Sequence, residues 1–268
     1  MRINSKEEKI LNKQLKKISK VEKKLITPKK DNALKKKINP YINKIEDKIP
    51  EKLQSTLEVA FKKAFKLIFE KGTGIIEKSY DKDKINLNFD INNYAVDNNF
   101  TKKNIKKVDG SANGKILLNK TISIIEGSAL GVLGIGLPDI PIFIGLLLKN
   151  IYEISLSYGF RYDTDDEIAY ILNIICGAVT KDSIRNEFLN TADEIAYNID
   201  NNIDKSYNID NLLDEVSTNL ATSLLTAKFI QGLPIVGIIG GITNFSAINN
   251  ISKIAKIKYK KRYLQNKK

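Results

Sequence analysis

The longest apolar run of the chain, residues Ile122–Asn150, constrains the fold more than any other feature. It reads ISIIEGSALGVLGIGLPDIPIFIGLLLKN and holds five glycines and two prolines. A transmembrane helix needs about 20 apolar residues, so the run is long enough to cross a bilayer. The tetrapeptide GLPD at positions 136–139 interrupts it, however, and proline is tolerated in the first turn of a helix but not deeper. The run therefore predicts a helical hairpin hinged at this tetrapeptide, with Pro138 and Pro141 starting the second arm and Tyr158-Gly159 ending it.

A second, shorter run repeats this arrangement near the C-terminus. Residues 229–245 contain another Gly-Leu-Pro, 96 positions after the first. Two glycines that follow it have the small-xxx-small spacing that allows close contact between helices. The residues predicted to form the hinges of the two hairpins are Gly136, Pro138, Asp139, Pro141, Gly232, Pro234, Gly237 and Gly241.

Two environments fit these hairpins. Broken helices paired across an internal repeat can place irregular backbone inside a bilayer. Lys115, Lys120 and Lys149 flank the first run, so that both of its ends favour the same side of a membrane. The mean hydropathy of −0.25 is nevertheless too low for a protein made mainly of membrane spans. The alternatives are a re-entrant or interfacial hairpin and the glycine-rich core of a soluble helical domain.

Apolar periodicity predicts helices along most of the remaining chain, and no strand pattern of comparable strength occurs. The polar, Asn-rich residues 81–110 have little periodicity and are predicted to be the most flexible segment, with a short helix near Lys102–Val108. The predicted fold is an all-α multi-helix bundle built around the two Gly/Pro-broken hairpins. Further helices are predicted over Ser5–Thr27, from Pro50, from Ile168 after the caps at 163–167, over Ile184–Ile199, over Asn211–Phe229 and at the C-terminal end.

Positive charge is concentrated at the two ends of the chain. Residues 1–37 hold 14 basic and 4 acidic side chains, and residues 252–268 hold 8 basic and no acidic ones. Residues 1–37 are therefore predicted to be a basic amphipathic helix or arm, and residues 38–268 the helical domain. Lysines near an anionic bilayer gain about 1 kcal/mol each, and a solvated lysine face is the simpler alternative. The predicted membrane or anion surface consists of Lys253, Lys256, Lys260, Lys261 and Arg262.

The composition excludes several classes of chemistry. The chain has no histidine and a single cysteine, Cys176, so it cannot build a histidine base, a Ser-His pair, a His/Cys zinc site or an internal disulfide. Neither 163–167 nor 200–211 supplies the ligand pattern of a calcium loop, and no metal or cofactor is predicted. Only four of the 44 basic residues are arginines, which disfavours nucleic acid as a partner. The N-terminus lacks the apolar core of a secretory signal, which predicts a cytoplasmic start.

Asp139 is the candidate catalytic residue of this chain. At a helix start its carboxylate can accept hydrogen bonds from free backbone N–H groups, which is ordinary capping. In apolar surroundings the same carboxylate could instead hold a proton or a ligand. Capping is the preferred interpretation, because Pro138 and Pro141 flank a natural helix start. The alternative function is a hydrolase acting on a lipid or peptide with Asp139 in its site.

The chain resembles the EcsC protein family. The likeness covers roughly residues 45–265, and the long middle motif is its specific part. The resemblance implies a helical bacterial protein, from a family named after genes found beside an ABC transporter, and it implies no settled reaction. The segments that carry it are Lys48-Ile49-Pro50, Leu137-Pro138-Asp139-Ile140-Pro141 running on to Tyr158-Gly159-Phe160, Leu233–Gly237, Asn244 and Tyr259–Leu264.

Charge, hairpins and resemblance together predict a membrane-associated protein of the EcsC type. We expect a cytoplasmic protein that is peripheral or re-entrant at the inner face of the cell membrane. Its role would be one of binding or assistance at the bilayer or beside a transporter. The expected partners are an anionic membrane surface and, following the resemblance, an ABC transporter or another membrane protein.

Overall fold

The computed structural model describes residues 4–26, 49–112, 139–230 and 245–268. All regular secondary structure in these ranges is helical, which confirms the predicted all-α fold. One π-helical turn, Ile68–Gly72, joins the second and third helices. The α-helices are α1 (Ser5–Ile26), α2 (Glu51–Leu67), α3 (Thr73–Glu77), α4 (Lys82–Asn98), α5 (Lys102–Ser111), α6 (Asp139–Ser157), α7 (Asp165–Val179), α8 (Asp182–Asp200), α9 (Ile209–Ile230) and α10 (Phe245–Gln265).

Helix α6, the second arm of the first predicted hairpin, lies at the centre of the bundle. It packs against α2, α4 and α10. Among the described residues it is the one helix long and apolar enough to cross a membrane, over Ile140–Ser157, where the mean hydropathy is 1.4. However, 89% of that window is buried inside the protein. Within the described part of the chain, this arm therefore forms core rather than an exposed apolar surface.

The two ends of α6 follow the predicted signals. The helix begins at Asp139, and Pro141 lies buried in its first turn, where the backbone N–H that proline lacks would have no partner within the helix. It ends before Gly159, whose φ of +79° is a conformation that glycine adopts at little cost. A Cβ atom at Gly159 would also collide with the ring of Phe89. The remaining hinge residues, Gly136, Pro138, Gly232, Pro234, Gly237 and Gly241, lie outside the described residues.

The predicted flexibility of residues 81–110 is wrong, because this segment forms α4 and α5. Asp81 caps α4 by accepting a hydrogen bond from the Lys84 backbone N–H at 2.9 Å. Thr101 caps α5 in the same way, through the Asn104 N–H at 3.2 Å. The apolar contacts of this segment are few, with Val96, Phe100, Ile105 and Val108 buried but Leu87 and Ile91 exposed. Capping and tertiary contacts therefore override a weak apolar periodicity.

The N-terminal helix α1 belongs to the same packed structure as the rest of the bundle. It contacts α10 and, more lightly, α8. Leu11 is fully buried and forms part of the single hydrophobic core cluster. Glu22 is buried as well, and its carboxylate pairs with Lys258 at 2.5 Å. The predicted basic amphipathic helix is thus present and docked, with its apolar stripe turned towards α10.

Helix directions define two ends of the bundle. Helices α6 and α10 run side by side in the same direction, because Asn150 and Asn249 line one cavity and, further along, the rings of Tyr158 and Tyr263 lie 6.0 Å apart. Helix α7 runs opposite to α10, since Asn250 donates to a carbonyl at the other end of α7, that of Ala178, at 2.9 Å. Both helix starts, of α6 and of α10, therefore lie at the same end as the last turn of α7.

Contacts of α7, α8, α9 and α2 agree with these helix directions. The guanidinium of Arg262 binds both Glu167, in the first turn of α7, and Asp200, at the end of α8. We call the end of the bundle that holds Arg262, Glu167 and Asp200 the lower end. Helix α9 begins there, shortly after α8, and runs antiparallel to α2, as the contact of Gln54 with Thr222 indicates. The opposite end, which we call the upper end, holds the starts of α2, α6 and α10 and the ends of α7 and α9.

Candidate functional site

Most of the basic residues predicted to form a surface on α10 instead form ion pairs inside the protein. Lys260 pairs with the Asp109 carboxylate, and Lys256 donates to the Asp109 backbone carbonyl at 2.9 Å. Lys261 pairs with Asp193 at 2.6 Å and with Glu22 at 3.1 Å. Of the five predicted residues, Lys253 is classed as exposed.

Arg262 contradicts the predicted surface outright, because it is buried. Its guanidinium forms a two-bond contact with Glu167, at 2.8 and 2.9 Å, and binds Asp200 as well. It also lies over the ring of Phe160, 4.2 Å from the centroid. Burial disfavours the charged guanidinium, but the hydrogen bonds that it donates to Asp200 and Glu167 raise the pKa of Arg262 above its ordinary value. Its role is to hold the ends of α7, α8 and α10 together.

A long row of exposed lysines lies on α1 instead, and α5 carries further exposed lysines. The outward face of α1 carries its row of lysines, and only two acids, Glu7 and Glu8, lie in its first turn. Because α1 turns its apolar side to α10, every lysine on the opposite side meets solvent. The exposed lysines of α1 are Lys6, Lys9, Lys13, Lys16, Lys17, Lys20, Lys23 and Lys24.

Exposed apolar residues accompany these lysines near the end of α1 and the start of α8. They are Val21 and Leu25, each 38% exposed, and Ile184, which is 54% exposed. The carbonyl of Leu25 accepts a hydrogen bond from Arg185 Nη1 at 3.2 Å, which ties the end of α1 to the start of α8. The exposed lysines on these helix ends and on the turn before α8 are Lys20, Lys23, Lys24 and Lys181. We call the three apolar residues and these four lysines the upper patch.

A cavity of about 280 Å³ lies between α6 and α10, with α4 and the end of α5 closing it. Ile85, Ala112 and Ile154 give it an apolar wall. Its remaining lining is polar and includes both signs of charge. The side chains that could contact a polar ligand are Asn150, Glu153, Asn249, Ser252, Lys253 and Lys256.

Three groups in or beside the cavity have surroundings that constrain them. Lys149, 2% exposed, places its ammonium 2.8 Å from Glu153 and 5.8 Å from the centroid of the Tyr80 ring. Burial lowers the pKa of Lys256 below its ordinary value. The Ser252 hydroxyl is buried and finds no hydrogen-bond partner within the described residues.

Behind Lys149, a row of hydrogen-bonded side chains reaches the surface. The hydroxyls of Tyr80 and Tyr162 lie 3.0 Å apart, and that of Tyr162 donates to Glu77. Lys82 pairs with Glu77 at 2.8 Å. Burial favours the neutral acid, but the hydrogen bonds from Lys82 and Tyr162 lower the pKa of Glu77. The buried charges near the centre of the bundle are therefore members of a connected network, as low-dielectric surroundings require.

The side chain of Asp139 lies outside the described residues, so its predicted role as a cap or a catalyst stays a prediction. The cavity contains residues that the sequence did not single out, above all Glu153 and Ser252. One signal was available. Lys149 and Glu153 stand four positions apart in an otherwise apolar stretch, and a charged pair at that spacing inside a core helix indicates a functional or structural demand.

Fold and site together define a helical bundle with a buried apolar central helix, a basic N-terminal helix and a polar cavity beside the core. The sequence model of the EcsC protein family matches residues 12–264, which is nearly the whole chain. The chain belongs to the EcsC protein family. This match starts earlier than the resemblance quoted from motifs and includes most of α1. Comparisons with curated proteins and with solved structures gave no match.

Proposed function

We propose that this EcsC-family protein binds the surface of anionic membranes with its upper end. The observation that carries the proposal is the position of the upper patch. Its apolar residues, Val21, Leu25 and Ile184, are exposed beside lysines on the last turns of α1 and the first turn of α8, and α8 begins directly after α7 ends at the upper end, where both apolar Gly/Pro runs border the described chain. Asp139, Ile230 and Phe245 mark these borders.

Exposed apolar side chains that lie next to lysines suit a bilayer interface. The lysines gain about 1 kcal/mol each from anionic lipid, and apolar side chains gain further by leaving water. A surface of lysines alone would bind any polyanion, whereas the exposed side chains of Leu25 and Ile184 favour a partner with an apolar interior. The role proposed is that of a peripheral accessory protein on the inner face of the cell membrane. A partnership with an ABC transporter follows from the family resemblance alone and stays a prediction.

Co-sedimentation with lipid vesicles tests this proposal. We expect the full chain to bind vesicles that contain phosphatidylglycerol, to ignore pure phosphatidylcholine, and to be released in part by salt. A triple variant of the upper patch, Lys20→Gln, Lys23→Gln and Lys24→Gln, should weaken binding strongly, because each lysine contributes about fivefold at roughly 1 kcal/mol.

The matched control removes three exposed lysines of α5, through Lys102→Gln, Lys103→Gln and Lys106→Gln. Both triple variants carry the same net charge, so they differ only in where charge is lost. Equal weakening by the two variants would mean that overall charge, and not the upper end, drives binding. A wild-type chain that stays in the supernatant at low salt would end the membrane proposal.

A further inference from the structure

We propose that the cavity between α6 and α10 binds a small phosphate ester of a polar alcohol. This inference goes beyond membrane attachment, because the cavity is separate from the upper patch. Its volume of about 280 Å³ is large enough for a phosphate group with a few further heavy atoms. The occupant would be either a free phosphate ester or the head group of a phospholipid.

The donors on the α10 side fit a phosphate. Lys253 and Lys256 line the cavity one helical turn apart, next to Ser252 and Asn249. Two lysines, a hydroxyl and an amide line one space, and hydrogen-bond donors of these kinds suit phosphate oxygens, with Lys256 also donating to the Asp109 carbonyl. Charge-assisted hydrogen bonds of this kind are the strongest polar contacts in proteins, and lysine binds phosphate as a point charge.

Ser252 supplies an independent indication of a ligand. Its Oγ is buried and lacks a hydrogen-bond partner within the described residues. Burying a hydroxyl without a hydrogen-bond partner is unfavourable. Such a cost is removed when a ligand oxygen accepts its proton.

The α6 side of the cavity determines which ester fits. Glu153 is held by Lys149, a lysine buried within the most apolar helix of the described chain. Removing a charged pair from water is unfavourable, so its presence indicates a demand for a fixed carboxylate at this wall. A carboxylate accepts hydrogen bonds from a hydroxyl or an ammonium group. The ester should therefore carry such a donor on its alcohol, while its carbon atoms contact Ile85 and Ile154.

Two probes, one soluble and one in vesicles, distinguish a free phosphate ester from a phospholipid head group. The first is sn-glycerol 3-phosphate, titrated into the full chain by isothermal calorimetry. The second is a set of phosphatidylcholine vesicles that contain phosphatidylglycerol. For a free ester, the first probe should bind with one site per chain. For a lipid head group, vesicle binding alone should depend on the cavity residues.

Three single variants decide the question. Lys253→Gln should weaken the binding of the relevant probe about tenfold or more, since it removes a charge-assisted hydrogen bond. Ser252→Ala should weaken it several-fold and yet leave thermal stability unchanged or raised, because it deletes a hydroxyl that has no hydrogen-bond partner among the described residues. Lys103→Gln, an exposed lysine of α5, is the matched control and should bind like the wild type.

The outcomes separate this inference from the membrane proposal. Loss of vesicle binding in the upper-patch variant, with glycerol phosphate binding intact, supports both ideas independently. Vesicle binding that depends on the upper patch but is equal in Lys253→Gln and Lys103→Gln, combined with no binding of glycerol phosphate, overturns the cavity proposal alone. Binding of glycerol phosphate that weakens equally in these two lysine variants overturns it as well.

Discussion

Replacing Arg262 by methionine should destabilise the fold severely, and the structure allows the size of the effect to be worked out. Methionine keeps most of the side-chain stem but removes the guanidinium that binds Glu167 and Asp200. Glu167 is only 4% exposed at its side chain, so its carboxylate would remain in the interior without a partner. Breaking a buried ion pair in this way costs about 3 to 5 kcal/mol.

The chain offers an exposed arginine as a control. Arg161 pairs with Asp163 at 2.9 Å, but its side chain is 71% exposed. Removing an exposed pair costs about 0 to 1 kcal/mol. Urea denaturation followed by circular dichroism gives the free energies of unfolding of Arg161→Met and Arg262→Met. The reasoning is refuted if the two variants lie within about 1 kcal/mol of each other.

A pH series and a double variant test the physical cause. Burial already raises the pKa of Glu167 in the wild type, although Arg262 opposes this, and Arg262→Met should raise the folded-state pKa further. A carboxyl group with a raised folded-state pKa stabilises the fold at low pH and loses that contribution as pH rises through the folded-state pKa. The deficit relative to wild type should therefore shrink as pH falls from about 7 to about 5. Adding Glu167→Gln to Arg262→Met should recover part of the stability at neutral pH, because the buried charge is gone.

Two further substitutions, each with a control substitution, test the packing. Gly159→Ala should lower the free energy of unfolding by more than about 1 kcal/mol, since φ is +79° and the new Cβ would meet Phe89. Gly74→Ala in α3, where nothing lies within 4 Å of the new Cβ, should be neutral or stabilising in the same denaturation assay. Leu11→Ala should cost about 2 to 5 kcal/mol if α1 is part of the cooperative core. A cost for Leu11→Ala no larger than that of Leu87→Ala, at an exposed position, would show that α1 does not unfold with the bundle.

Some local features could be predicted from sequence because the residues that cause them are neighbours in the chain. Thr164 caps α7 by accepting from the Glu167 N–H at 3.3 Å, as the acids and threonine at 163–167 indicated. Pro141 at the start of α6 and Gly159 after its end are equally local. The segment that forms α4 was not predicted as a helix, because its stability depends on contacts with distant residues such as Tyr263, although its cap at Asp81 is local.

The polar cavity could not be predicted, because its walls come from parts of the chain that are far apart. Glu153 and Ser252 are 99 positions apart, yet both line it. Only the pairing of Lys149 with Glu153 within one helix left a trace in the sequence. Periodicity identified which positions of α6 and α10 face neighbours, but it could not say which neighbours meet.

By itself, the sequence determined that the chain is helical, where most of its helices begin and end, and that it belongs with the EcsC family. The helical properties follow from apolar spacing, from caps and from proline and glycine, which act within a few residues, and the family follows from the match to its sequence model. Only the tertiary structure decided what each charge does. Lys261 meets Glu22, which lies 239 positions earlier, and thereby leaves the surface, whereas the lysines of α1 remain exposed. The helix packed against a lysine decides whether the lysine neutralises a carboxylate or remains available for a membrane, and spacing along the chain does not encode that choice.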